Sequence, residues 1–399
     1  MGCESICTQS GQKIIAPRLN VIILETELKN DTQKTSNQTY QKMKLIGKGS
    51  YGKVFLIKSL QTEKEYALKE TVITKNKEIF LYFSMNEIDI LSKLDNPYII
   101  SLKCAFKTQI DEETEKLNII MEYVDNGDLN QLITEYKDDD KIISQDRLLN
   151  WLFQLCLALF YLKENEIIHR DIKPSNIFLM QDDTIKLGDF GISKKVSISN
   201  DLKIFVSTPI YTSPEIIQKK NYSYKADIWS LGITFIQLIS LRLPFVVTEK
   251  EEIYNNILNK ELNPKILNKD KTDFNDSIKN NYSKEFLDLI NQMVSINPDD
   301  RPSVKDILNK NMIKRRMENY LLENNFNEKE IVNTINDLDE KINNIYKNIN
   351  NNDDKTISQK QKEQNIKDIK LLVKKKEFYK KMIIINESSK TEIKSIEKI

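Results

Sequence analysis

The stretch from His169 to Gly191 constrains this chain more than any other: H-R-D-I-K-P-S-N at 169–176 is followed by L-G-D-F-G at 187–191. The first string places Asp171, Lys173 and Asn176 in one short loop, and the second supplies Asp189. Moving a phosphoryl group calls for a carboxylate facing the acceptor hydroxyl, a cation on the phosphate, and oxygen ligands for Mg²⁺. These residue types answer all three needs. His169 is the only histidine, so a histidine-built zinc site or a Ser-His-Asp centre has almost nothing to draw on.

A chain of 399 residues has room for two or three domains, or for one large two-lobed domain with tails. Its 40% hydrophobic content can bury a full core. Sixty basic residues against 59 acidic ones leave a net charge of +1, which gives no electrostatic reason to expect nucleic acid or an anionic membrane surface as the main partner. Cys104 and Cys156 sit in apolar runs and read as buried reduced thiols of a cytoplasmic protein. No apolar run approaches the ~20 residues of a membrane helix, and the N-terminus lacks the charged start and apolar core of a secretory signal.

From Tyr40 the pattern is strand-like, with Val54 and Leu56, then Tyr66 and Leu68, alternating about a polar turn at 61–64. A helix is predicted near 79–94, strands near 102–106 and 117–124, and a charged hairpin tip at 111–116. After Asn126–Gly127 the spacing turns helical, and Leu148, Leu149, Leu152, Leu155, Leu159 and Leu162 mark a buried helix. The expectation is an α+β fold: a small β-rich lobe carrying one key helix, then a larger helical lobe. Residues 26–39 are polar and turn-forming and read as a linker.

Between two strand patterns, G-K-G-S-Y-G-K-V runs from Gly47 to Val54. Glycines let the backbone approach phosphates closely. Dinucleotide-binding folds use similar letters, but here a strand follows, and Y-A-L-K sets Lys69 on the next strand. Lys69 suits the α- and β-phosphates. Its partner is expected on the following helix, at Glu87 in M-N-E-I-D-I-L; Asp89 lies about 200° away around a helix. Downstream, T-S-P-E ends at Glu215, D-I-W-S-L-G starts at Asp227, and N-P-D-D-R-P carries Arg301.

Taken together, these motifs resemble the eukaryotic protein kinase family over about residues 40–313. That resemblance implies a bilobal kinase fold acting on protein substrates, with ATP and Mg²⁺ as cofactors. It makes Asp171 the catalytic carboxylate, Lys173 the cation on the moving phosphoryl, Asn176 and Asp189 the Mg²⁺ ligands, and Glu215–Arg301 a buried ion pair. Ile46, Gly47, Lys48, Gly49 and Gly52 would lie along the nucleotide. Val54, Ala67 and Phe178 would sandwich adenine, with Met121 behind it. Glu122 to Val124 would offer backbone groups, and Asp128 would meet the ribose. Lys173 with Thr208 resembles the serine/threonine branch, and W-L-F-Q-L-C-L-A-L-F-Y-L with E-Y-V-D-N-G-D-L is similar to NIMA-related kinases. That group adds association with the cytoskeleton or cilium to the expected cytoplasmic location. The intact set weighs against a catalytically silent scaffold, and T-S-P-E with Arg301 against a small-molecule phosphotransferase.

Two positions depart from the family pattern, and a third differs from one group of relatives. Ile204 stands where a phosphorylatable Thr or Ser is usual, Ser207 replaces the usual Gly before Thr208, and Ser175 stands where relatives that prefer arginine carry Glu. The flanking regions are read as a leader at 1–39 and a helical tail at 314–399. The start M-G-C-E-S-I-C resembles dually acylated proteins at Gly2, Cys3 and Cys7, but Ile6 breaks the myristoylation pattern, so weak membrane association at most is expected. Ile331, Ile335, Leu338, Ile342, Ile345 and Ile349 form a short heptad seam, which reads either as a homodimer contact or as a helix folded back on the main domain.

Overall fold

The computed structural model describes residues 39–49, 52–74, 78–111, 114–195, 208–246, 249–263 and 274–316, Ile266 and Glu340, and short strands at Ser5–Cys7, Lys13–Ile15, Leu24–Glu25, Leu28–Lys29 and Thr32–Lys34. Gly2, Cys3, Ile204, Ser207 and the heptad seam lie outside the described residues. The chain divides into two compact units, residues 1–143 with 162–302, and residues 144–161 with 303–399.

In the first unit, the alternating apolar stretches become β1 (Thr39–Gly49), β2 (Gly52–Ser59), β3 (Glu65–Ile73), β4 (Leu102–Gln109) and β5 (Glu115–Glu122). They are ordered β1-β2-β3-β5-β4, each antiparallel to its neighbours. Residues ahead of Tyr40 extend both edges. Leu24–Glu25 runs parallel to β4, while Thr32–Lys34 pairs with the start of β1 and then with Leu28–Lys29. The charged tip between β4 and β5 is narrower than its composition suggests, because Lys107 and Glu115 form an ion pair across the strands at 2.9 Å and so belong to the ladder.

Side chains alternate across the sheet, so it buries two apolar clusters. Tyr40, Ile57, Leu68, Phe106 and Ile120 form one. Ile73, Ala105, Leu117 and Ile119 form the other, together with Ile88 from α1 (Glu78–Leu91). That second cluster docks the key helix against the strand that carries Lys69.

The helical part of the unit begins with α2 (Leu129–Asp138), whose N-cap is Asp128. The long leucine-marked helix α3 covers Gln145–Glu164, and its six predicted leucines are all buried. Two small ladders follow: β6 (Ile167–Ile168) with β9 (Lys194–Lys195), and β7 (Ile177–Leu179) with β8 (Ile185–Leu187). Next come α4 (Pro214–Ile217), α5 (Lys225–Ser240), α6 (Lys250–Leu258), α7 (Asp276–Asn281) and α8 (Lys284–Met293). Ala226 through Ile239 of α5 are all buried, as expected of a helix apolar on nearly every side. Phe235 on it meets Phe286 of α8 edge-on at 6.5 Å. In the second unit, α9 (Val304–Leu308) opens with a capping box between Ser303 and Asp306, and Arg147 lies over the Trp151 ring at 4.6 Å. Among the described residues no helix is long and apolar enough to cross a membrane.

Candidate active site

Strand register sets the first part of the site. β2–β3 pairing puts Val54 opposite Lys69, and β3–β5 pairing puts Ala67 opposite Met121. The turn between β1 and β2 brings Gly49 against Gly52 and Gly47 against Val54. Gly52 is sterically required there, since a Cβ at this position would run into the backbone carbonyl of Glu70 on β3. From α1, Glu87 reaches inward, 1% exposed, and its Oε2 accepts from Lys69 Nζ at 2.7 Å. Asp189 Oδ1 takes the same ammonium at 3.3 Å. Asp89 pairs with Lys93 along the helix instead, as the angular argument required.

Burial opposes the charge on Lys69, but the carboxylates of Asp189 and Glu87 outweigh it and hold the ammonium above its usual pKa. For Glu87 the balance goes the other way: burial raises its pKa despite Lys69. Asp189 ends below its usual value, because Lys69 and Lys173 overcome its burial. We take the triad as fully charged, since one ammonium faces two carboxylates within hydrogen-bonding distance.

The second part is the loop after β6. Asp171 is the hub: its Oδ2 accepts from Lys173 Nζ at 2.7 Å and from Asn176 Nδ2 at 2.9 Å, and its Oδ1 accepts from the Thr208 hydroxyl at 3.2 Å. Lys173 Nζ also donates to Thr208 Oγ1 at 2.7 Å. Because the Asn176 amide nitrogen is committed to Asp171, its carbonyl oxygen is the atom left for a cation. Two residues of this region hold left-handed backbone, Arg170 at φ 72° and Asp189 at φ 60°. Such strain persists only where surrounding bonds over-determine it. For the loop, those bonds come from Asp227 on α5, whose carboxylate accepts from the His169 and Arg170 backbone N–H groups at 2.8 Å each.

His169 itself is fully buried against Phe190, with ring centroids 4.6 Å apart. It accepts from Asp171 N–H at Nδ1 (3.3 Å) and donates from Nε2 to the Gly188 carbonyl (3.1 Å), so the neutral ring has both nitrogens occupied. Burial pushes its pKa down to about 4.

A cavity of about 670 Å³ joins these parts. Ile46, Gly47, Lys48, Gly52, Val54 and Ala67 line one wall, and Met121, Glu122, Val124, Asp128 and Phe178 another. Lys69, Glu87, Asp171, Lys173, Asn176 and Asp189 also face it. Gly49 pairs with Gly52 in the turn between β1 and β2. Asp128 lines the cavity, but its Oδ1 is occupied by the Asn130 and Gln131 N–H groups of the α2 cap. The Glu122 side chain is held by Ser101 N–H and Lys186, and its backbone N–H donates to the Ser101 carbonyl at 3.0 Å.

Sequence reasoning did not place Thr208 beside Asp171, nor Ile100 in the wall. The donor set fits Mg²⁺, a hard cation that binds proteins through one or two carboxylates and completes its shell with phosphates and water. No cluster of three His, Cys, Asp or Glu side chains among the described residues offers an all-protein cage for another metal.

Below this centre, Glu215 and Arg301 form a bidentate pair, both bonds 2.8 Å. Arg301 is completely buried and lies over the Trp229 ring at 5.1 Å. Its remaining N–H groups reach the carbonyls of Lys225, Ser295 and Ile296 at 2.7–3.1 Å, so all five donors are satisfied.

A carboxylate ringed by lysine, asparagine and threonine, beside a lysine–glutamate pair and a glycine turn, is the arrangement of a protein kinase, and residues 40–313 match the protein kinase domain model. The chain belongs to that family, whose members generally use ATP and Mg²⁺ and act on proteins. Within it the chain is NIMA-related in character. It is 34% identical to mouse serine/threonine-protein kinase Nek1 over 71% of its length, 35% to mouse Nek5 over 67%, and 37% to a probable serine/threonine-protein kinase nek3 of Dictyostelium discoideum over 67%. The matched regions span 22%, 39% and 23% of those relatives, respectively.

Proposed function

We propose that this protein transfers the γ-phosphate of MgATP to serine or threonine hydroxyls of protein substrates. The observation that carries this reading is the Asp171 hub, with Lys173 and Thr208 both within 3.2 Å of its carboxylate and all three lining the cavity of about 670 Å³. Asp171 would orient the acceptor hydroxyl and take its proton as the new P–O bond forms and the β–γ bridging bond breaks, releasing ADP. Lys173 would stabilise negative charge on the moving phosphoryl. Lys69, held by Glu87, would bind the α- and β-phosphates. Asn176 and Asp189 would hold Mg²⁺, which when bound supplies positive charge to the phosphate oxygens. Val54, Ala67 and Phe178 would enclose adenine.

The test is phosphate transfer to a degenerate serine/threonine peptide array by wild type and Asp171→Asn. The variant is expected to bind nucleotide like wild type and to transfer nothing. Persistent transfer would refute the assignment of Asp171.

The sequence supports three further readings. The heptad seam at 331–349 gives a homodimer, and a monomer by light scattering at micromolar concentration would refute this. Membrane attachment is limited to acylation at Gly2, Cys3 and Cys7, decided by intact mass from a myristoylating host. The location is cytoplasmic, in keeping with the free thiols of Cys104 and Cys156, and is tested by fractionation.

A further inference from the structure

α1 meets the segment after Asp189 through two consecutive residues. Glu87 accepts from the Phe190 backbone N–H. Asn86, its neighbour, donates from Nδ2 to three backbone carbonyls: Ser193 at 2.8 Å, Gly191 at 3.1 Å and Phe190 at 3.3 Å. An amide has two N–H groups, so the two shorter bonds are full and the third is shared. Only the NH₂ end of the amide can face three carbonyls, which fixes its orientation. The acceptors belong to buried residues that immediately follow the left-handed Asp189. On the helix itself, Ser84 bonds Thr71 of β3 at 3.0 Å, so Asn86 stands on a helix already anchored to the sheet.

We infer that Asn86 is a positioning residue that ties α1 to the Phe190–Ser193 turn, so that Asp189 is held in its strained backbone with its carboxylate in the metal-binding place. The inference rests on the reading of Asp189 as a Mg²⁺ ligand. Asn86 is not among the residues that line the cavity, and it acts through Asp189. Removing its donors takes the Asn86 bonds from the Gly191 and Ser193 carbonyls, while the Phe190 carbonyl keeps the Ser193 N–H at 3.1 Å, and so frees the turn to rotate. The metal-dependent part of nucleotide binding is then weakened, while the adenine contacts remain.

The experiment uses the full chain, at a temperature where every variant is folded by circular dichroism. ADP affinity is measured by calorimetry without and with Mg²⁺, alongside kcat. Asn86→Asp keeps the shape and removes both donors; Asn86→Ala removes them without adding charge. For both variants, metal-free ADP affinity is expected within about twofold of wild type, tightening by Mg²⁺ largely lost, and kcat lowered about tenfold or more. Wild-type kcat and tightening in Asn86→Ala would overturn the inference. So would equal loss of metal-free and Mg²⁺-dependent affinity, the mark of a purely structural role. Asp189→Asn serves as the control. If it keeps the Mg²⁺ tightening, the metal assignment fails and the inference with it; if it loses the tightening, a wild-type-like Asn86→Ala overturns the Asn86 inference alone.

Discussion

His169 shows how a buried titratable group sets conditions on the loop it supports. Its pKa lies near 4 in the fold against 6.5 for a free histidine, because burial disfavours the charged ring. Between those values the unfolded chain binds a proton that the folded one does not, so stability falls as pH drops from about 6.5 towards 4. A shift of this size corresponds to about 3 kcal/mol, fully present above pH 6.5. Asp227 runs the other way: burial raises its pKa to about 6, and stability from that group falls as pH rises from about 4 to 6. A pH series on wild type alone would therefore mix the two. Subtracting the series for His169→Phe isolates the histidine. Unfolding free energies from urea titrations at pH 7 and pH 4.5 are expected to narrow the gap between wild type and variant at the lower pH. A constant gap would mean that the ring is not held neutral.

At the scale of elements, the Glu215–Arg301 pair joins the segment around α4 to the loop after α8. Arg301→Ala strands a carboxylate that is 4% exposed, and breaking one partner of such a buried pair costs ~3–5 kcal/mol. Arg301→Lys is expected to recover little of this, since an ammonium cannot reproduce the two-pronged bond to Glu215 together with the three carbonyl bonds. Urea unfolding of both variants checks the point, and a loss below ~1 kcal/mol would place the pair among weak surface bridges. Much of this was legible in the sequence, because local periodicity reports local structure. The alternation at Val54–Leu68, the helix around Glu87 and the leucine series of α3 all appear where the pattern put them. What escaped was set at long range or by competing local chemistry. Thr208 meets Asp171 across 37 residues, a closeness that no short window encodes. Asp128 precedes Gln131 by three positions, which is a helix-capping signal, and its Oδ1 caps α2 while the residue lines the cavity. Asn86 next to Glu87 looks like an ordinary polar position on a helix until the turn it bonds is in place.

For the molecule as a whole, the question is what assembles the catalytic parts. In kinases switched by phosphorylation, a phosphate in the activation segment pairs with an arginine next to the catalytic aspartate and orders the loop. Ile204 has no hydroxyl to modify at the usual position, and its own packing lies outside the described residues. The corresponding arginine, Arg170, has other partners: its backbone N–H is bound by Asp227, and its guanidinium lies 5.7 Å from the Tyr222 ring centre. α1 is meanwhile fastened through Thr71–Ser84, Lys69–Glu87 and the Asn86 carbonyl bonds, none of which requires a phosphate. Unmodified protein is therefore expected to be active. Phosphatase-treated enzyme should keep kcat within about tenfold of the untreated enzyme, a smaller loss than forfeiting several charge-assisted phosphate–arginine bonds would cause. Tyr222→Ala, which removes the ring beneath Arg170, should lower activity whether or not the enzyme has been treated. If phosphatase silences the wild type and phosphate restored on Ser197, Ser199 or Ser207 revives it, assembly depends on modification after all, and the contacts within the fold are not sufficient on their own.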